Sequence, residues 1–450
     1  MIFYTLIVAL AASVAVLFVA CGDKGAEPAA AVVPTVAARR TLSPLPERPL
    51  SPRLKAARER AMRAAAAARG LAWKGEVGMT ELSGWEYGTR TKEIAEVLGT
   101  EDLSGFSKLA VAGGMLPEGT DLASLAVTFT AATAGATYSP LDKQVILLAE
   151  DAKRGALADQ SLLTHEFVHA LQDQHFDLLK TLLARPFNFD RTEALFALVE
   201  GDAMNVERRM EAGEKEWSRR TLDEIARHED ERFAPYRAQI GALFPPLLTE
   251  TFIFRYRDGA RFVEAMRRAR PAASVDDIFR RPPASSEQVL HPEKYLAGEA
   301  PREVDANAEG FREDGWEALA STPLGEIGVR GLLLAGVEDA EARKAAAGWG
   351  GDRAFVFGRA GRGPAQLFVW QTVWDGREDA REFFRAYNTL LRRGRGAAQA
   401  DGAAAYGGEE AALWREGDLS TLVRLEGDTV LVLRGAEADV AAALRTVTRR

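Results

Sequence analysis

Five histidines occur in 450 residues, and two of them stand in His165-Glu166-Phe167-Val168-His169. On a helix, residues four apart project from one face, so both imidazoles could reach a single metal ion. Glu166 follows the first histidine and leans toward the open coordination position. A carboxylate there can take a proton from zinc-bound water and later deliver it to a leaving amine. The spacing H-E-x-x-H inside an apolar-periodic helix predicts one Zn2+ per chain, Glu166 as general base, and hydrolysis of peptide bonds. The bland alternative is an ordinary amphipathic helix that carries two histidines.

A catalytic zinc takes three protein ligands and keeps a fourth position open. His175 stands six residues after His169, the spacing of the metzincins, H-E-x-x-H-x-x-G-x-x-H. That pattern needs glycine where this chain has Gln172. The helical pattern, from about Asp159 to Leu183 with Pro186 as its stop, also runs on through Leu178 and Leu182. It would carry His175 away from the metal. Glu200, in Ala197-Leu198-Val199-Glu200-Gly201-Asp202-Ala203, lies on the next predicted helix, about 191–212. This resembles the gluzincins, in which a second helix supplies a glutamate, often followed by glycine and a small residue. Glu193 shares the face of Glu200 two turns earlier. It is expected to support a ligand or form a salt bridge; Glu193 or an aspartate holds a smaller claim to be the third ligand itself.

The resemblance extends over about residues 70 to 300. It takes in His165 to His175, the Glu200 segment, and Pro282-Pro283-Ala284-Ser285-Ser286-Glu287-Gln288 leading to His291 and Tyr295. Together these resemble gluzincin-like zincins of the bacterial envelope. The resemblance implies a strand, here 143–148, that pairs an extended substrate backbone. Asp173 lies on the ligand face and is expected either to fix a histidine tautomer or to be a surface carboxylate. Gln172 and Gln174 are expected to make packing or capping contacts. Asp202 either orients a ligand histidine or faces solvent. His291 and Tyr295 could donate to an oxyanion. The favoured alternative is that Ser286, Glu287 and His291 fasten a connection through side-chain hydrogen bonds.

The elements that must position these residues imply an α+β chain: a mainly helical zincin-like domain with a small sheet, then a smaller α+β C-terminal domain. Four regions are expected. Residues 1–21 form a lipoprotein signal peptide or membrane anchor, 22–50 an Ala/Pro-rich linker, 51–312 the metallopeptidase domain, and 313–450 the C-terminal domain. Phe18-Val19-Ala20-Cys21-Gly22 resembles a lipobox, with Cys21 as the lipidated residue. It departs in having Phe at position −3 and no basic residue before the apolar run. An uncleaved anchor is the rival. Either way the chain is tethered to a membrane of the cell envelope, with its bulk outside the cytoplasm. Further helices are expected at about 52–68, ended by Gly70, and at 218–230, 246–268 and 274–280. The C-terminal region should hold helices near 324–347, strands at 353–358 and 366–373, and a helix at 377–392. A loop at 394–408, two or three strands between 411 and 434, and a last helix from Ala436 follow. Gly348 to Arg353 reads as a tight turn, and Trp370, Trp374 and Asp375 as a strand edge and helix start.

A net charge of −8 without a basic stripe excludes a general nucleic-acid binder, and one cysteine excludes an internal disulfide. The expected partners are a peptide or protein substrate and the membrane. The contrasting function is an inactive zincin-fold binding or scaffolding protein of the envelope.

Overall fold

Ser51 and Gly70 bracket the first helix. In the computed structural model α1 runs Pro52–Arg69; the Ser51 side chain accepts from Leu54 N, and Gly70 closes the helix at φ 65°. The structure describes residues 42–98, 101–122, 124–125, 135–148, 160–183, 187–270, 275–359 and 366–449. Cys21, the apolar run before it and most of the linker lie outside the described residues. Among those described, no helix is long and apolar enough to cross a membrane.

The chain is α+β and divides into two compact units. One comprises the described residues up to Ser104 with Asp121–Phe187 and Val206–Glu214; the other comprises Gly105–Thr120, Asn188–Asn205 and Lys215–Arg450. In the first, α1 is followed by β1 (Gly78–Leu82), α2 (Gly84–Leu98), β2 (Ala136–Ser139) and β3 (Gln144–Leu148), while α3 (Glu101–Ala112), between α2 and β2 in sequence, starts in the first unit and passes into the second at Gly105. β3 is the middle strand, parallel to β1 and antiparallel to β2. Its run Val145 to Leu148 is therefore hydrogen-bonded along both edges and has no ladder left for a substrate, contrary to expectation. The edge is β2.

α4 (Gln160–Phe176) carries the histidine pair, and every residue from Ser161 to Asp173 is buried. A helix buried all round presents no polar face. It stops earlier than its pattern suggests. Asp177 adopts φ 48°, and α5 (Leu178–Leu183) starts afresh with Leu178 N donating to Asp173 Oδ1 at 3.2 Å. α6 (Phe189–Ala212) follows, and the boundary between the units falls within it.

The predicted helix at 218–230 is two elements, α7 (Glu214–Arg219) and α8 (Leu222–Gly241). Thr221 and Glu224 form a capping box that starts the second. α9 (Pro246–Ala269) crosses α6 in backbone contact. A Cβ on Gly201 would lie 2.2 Å from Gly259, and one on Gly259 2.1 Å from the Ala197 carbonyl. Asn205 Nδ2 clamps the crossing, donating to the carbonyls of Gly201 (2.9 Å) and Ala260 (2.8 Å). Short helices α10 (Val275–Arg280), α11 (Ser286–Leu290), α12 (Pro292–Ala297) and α13 (Ala308–Glu313) come next.

The remainder builds a seven-stranded antiparallel sheet. In chain order its elements are β4 (Glu317–Thr322), α14 (Gly325–Leu333), α15 (Asp339–Ala346), β5 (Trp349–Gly358), β6 (Leu367–Trp374), α16 (Arg377–Gly394), β7 (Ala398–Ala400), β8 (Glu410–Glu416), β9 (Leu419–Glu426), β10 (Thr429–Gly435) and α17 (Glu437–Thr448). The strands lie in the order β4-β5-β6-β10-β9-β8-β7. Phe355, Phe357, Leu431 and Leu433 pack with Phe311 and with Val440 of α17. Phe383 of α16 packs against Trp370 and Trp374. Two expectations change here. Trp370 is fully buried in an interior strand, not at an edge. Gly350 and Gly351 belong to β5, where a Cβ on Gly351 would meet the Arg302 carbonyl at 2.2 Å. Asp352 then accepts from Trp349 Nε1 (3.0 Å), Trp370 Nε1 (2.8 Å) and the backbone N–H groups of Leu324 and Gly325 at the start of α14.

Candidate metal centre

The rings of His165 and His169 lie on one side of α4 with centroids 4.7 Å apart, crossing at 81°. With Glu200 they offer three ligand atoms, all within 4.8 Å of one another, and all three residues are buried. Gly201 follows Glu200 because α9 passes there in backbone contact, which gives the Glu-Gly pair a packing reason. Two turns earlier, Glu193 receives Arg255 Nε and Nη2, both at 2.7 Å. Burial works against the Arg255 charge, but Glu193 and, further down, Glu200 hold its pKa above the ordinary value. Glu193 is thus a salt-bridge residue.

Each histidine is held from behind. His165 Nδ1 meets Glu207 Oε2 at 3.1 Å, and His169 Nδ1 meets Gln172 Oε1 at 2.9 Å. A carboxylate and an amide oxygen only accept, so each Nδ1 carries the proton and each Nε2 keeps its lone pair. Two neutral imidazole nitrogens and one carboxylate, buried and oriented by outer partners, are the donor set of a catalytic zinc centre, so the residues fit that metal.

Beside the first histidine, Glu166 Oε2 accepts the Tyr138 backbone N–H of β2 at 2.8 Å. The buried Tyr87 hydroxyl has its pKa pushed up, first by burial and then by the Glu166 charge, so it keeps its proton. Asp173 does not reach an imidazole. Its Oδ2 accepts Tyr138 OH (2.7 Å) and Lys143 Nζ (2.6 Å), which ties α4 to the small sheet. The tautomer-fixing role on this helix falls to Gln172, three residues after His169. Asp202 is 2% exposed and does not face solvent.

His175 Nε2 donates to the Ala72 carbonyl at 2.8 Å and is not part of the metal group. Neither are His291 and Tyr295. His291 Nε2 is 3.0 Å from Glu326, and Tyr295 OH donates to the Arg281 carbonyl at 2.8 Å. Ser286 bonds the Asp190 carboxylate through both its N–H and its hydroxyl, and Lys294 Nζ lies 2.6 Å from Glu287. These bonds fasten the segment, as the alternative reading expects. A second acidic group, Glu287, Glu299 and Asp375, surrounds Lys294 Nζ at 2.6, 2.8 and 2.6 Å. An ammonium already sits where a cation would bind.

Sequence reasoning missed Glu207, Tyr138 and Tyr87. Glu207 was legible, because Glu193, Glu200 and Glu207 repeat at seven-residue intervals on one helix face. The tyrosines were not: β2, which carries Tyr138, is too short to show a period, and Tyr87 lies on α2, far from Glu166 in sequence.

The fold and this site define an α+β protein with a buried two-histidine, one-glutamate group. Residues 315–445 match the model of a family described as "Domain of unknown function (DUF8575)". No curated protein matches the chain. Among solved structures it is similar to one described as "Crystal structure of a putative hydrolase with a novel fold from Chloroflexus aurantiacus". The two are 19% identical with a TM-score of 0.31, and the likeness covers 56% of this chain and 92% of that one.

Proposed function

We propose that the chain is a zinc-dependent peptidase of the gluzincin type. It is tethered to a membrane through Cys21 or the apolar run before it, with its bulk outside the cytoplasm. The observation that carries the reading is the convergence of His165, His169 and Glu200 within 4.8 Å, with Glu166 next in sequence to the first of them. Among the described residues this group holds three members, the number of protein ligands that a catalytic zinc takes, whereas structural sites take four. A zinc ion held there would act as a Lewis acid and lower the pKa of water to about 7.

The remaining chemistry belongs to the chain. Glu166, oriented by the Tyr138 N–H, takes a proton from the attacking water and returns it to the leaving amine. Gln172 and Glu207 hold the two rings with Nε2 forward. The protonated Tyr87 hydroxyl adds no charge beside Glu166. The test measures zinc content and cleavage of a peptide library together. Glu166→Gln should retain one zinc per chain and lose hydrolysis by about 10²–10⁴-fold. Hydrolysis at the unaltered rate in that variant would refute the proposal.

A further inference from the structure

Building on the zinc reading above, we infer that Glu207 is a positioning residue of the centre: its carboxylate fixes the His165 ring and strengthens that ring's donation to the metal, whereas His169 is held by a neutral amide. Glu207 lies two turns beyond Glu200 on α6, about 10 Å along the axis. Its Oε2 meets His165 Nδ1 at 3.1 Å, and its Oε1 meets Arg208 Nη1 at 3.1 Å. Both the Glu207 and the Arg208 side chains are 1% exposed. Arg208 Nη1 also reaches Glu211 at 3.1 Å. The guanidinium supplies the counter-charge that a buried carboxylate requires.

An anionic acceptor on Nδ1–H draws that proton toward itself and leaves Nε2 more basic. An amide oxygen does so only weakly. The two imidazoles are therefore unequal ligands, although the motif makes them look equivalent. One helix supplies both carboxylates: Glu200 toward the metal and Glu207 behind the histidine opposite. A residue kept for packing alone would need neither the histidine contact nor the buried arginine beside it.

Outer partners of this kind contribute about 10–100-fold to metal affinity. The full chain is stripped of metal and reloaded with Zn2+ or Co2+. Affinity is read by chelator competition, and the ligand field by the visible absorption of the cobalt form. Circular dichroism of the metal-free protein controls for folding. Glu207→Gln is nearly isosteric and removes the charge. It should bind about 10–100-fold more weakly and shift the cobalt band, with the metal-free fold retained. Affinity within twofold of the parent would overturn the inference. If Glu207→Gln does not fold, Glu207→Asp keeps the charge but withdraws it by one carbon–carbon bond, about 1.5 Å. That variant should show an intermediate loss, and an unchanged affinity would again overturn the inference. If the parent protein binds neither metal, the zinc reading falls and this inference with it. Parent binding with unaltered variants sinks only the role of Glu207.

Discussion

Replacing Gly201 by alanine sets two effects of opposite sign against each other. Gly201 lies inside α6, where alanine is favoured over glycine by about 1 kcal/mol. Were the position open, Gly201→Ala would stabilise the protein. The added Cβ, however, would stand 2.2 Å from the Gly259 carbonyl carbon and oxygen. Both atoms are helix backbone, so no side chain can rotate away. Ordinary contact begins near 3.4 Å, so α6 and α9 would have to separate by over an ångström. The two Asn205 hydrogen bonds, at 2.9 and 2.8 Å, would then be stretched or broken. Overpacking costs about 1–3 kcal/mol, and each lost hydrogen bond about 0.5–1.5 kcal/mol. The net expectation is a destabilisation of about 1–5 kcal/mol after the helix-propensity gain. Urea denaturation reads this directly, with Gly213→Ala, at an exposed left-handed position beyond the helix end, as a comparison for backbone strain alone. A Gly201→Ala variant as stable as the parent, or more so, would show that the helices do not cross in backbone contact.

Glu200→Ala should lower zinc affinity at least tenfold while His175→Ala leaves it within twofold, and chelator competition distinguishes them; the reverse ranking would return the third-ligand role to His175. Burial raises the Asp190 pKa from 3.8 to about 7, against the lowering effect of Ser286. The folded chain then holds a proton that the unfolded chain has already released, so this group's contribution to stability falls as pH rises from about 4 to 7. The fall is on the order of 4 kcal/mol. Asp190→Asn keeps an oxygen for Ser286 and cannot ionise. The stability of parent minus variant should therefore decline across that window in urea titrations, and a flat difference would contradict the assignment.

How much of this was legible in the sequence depends on the length of the signal. α1, α6 and α9 announce themselves through long apolar periods and capping residues, and the bounds at Pro52, Gly70 and Pro246 fall where those residues dictate. The histidine pair and Glu200 were readable because chemistry and helical spacing coincide. β1 and β2 were not, being five and four residues long. Without them the edge available beside Glu166 was assigned to β3, which lies in the middle of the sheet. The break at Asp177 was hidden because Leu178 and Leu182 keep the period across it, and the cause is one residue at positive φ. Asp173 sits at a plausible spacing from both histidines, yet Tyr138 and Lys143, distant in sequence, take its carboxylate. Asp352 gave no signal at all, since its four donors come from three separate segments.

That last carboxylate also gives the second unit an optical signature. Two indole N–H groups converge on Asp352, and Trp374 packs nearby against Phe383, donating its own N–H to Thr372. All three indoles are at most 1% exposed, whereas Trp85 of the first unit is 78% exposed. Buried and water-exposed indoles emit at different wavelengths. Trp217, Trp316 and Trp414 of the second unit are buried as well, so a red shift of the tryptophan emission reports mainly the melting of that unit, without any label.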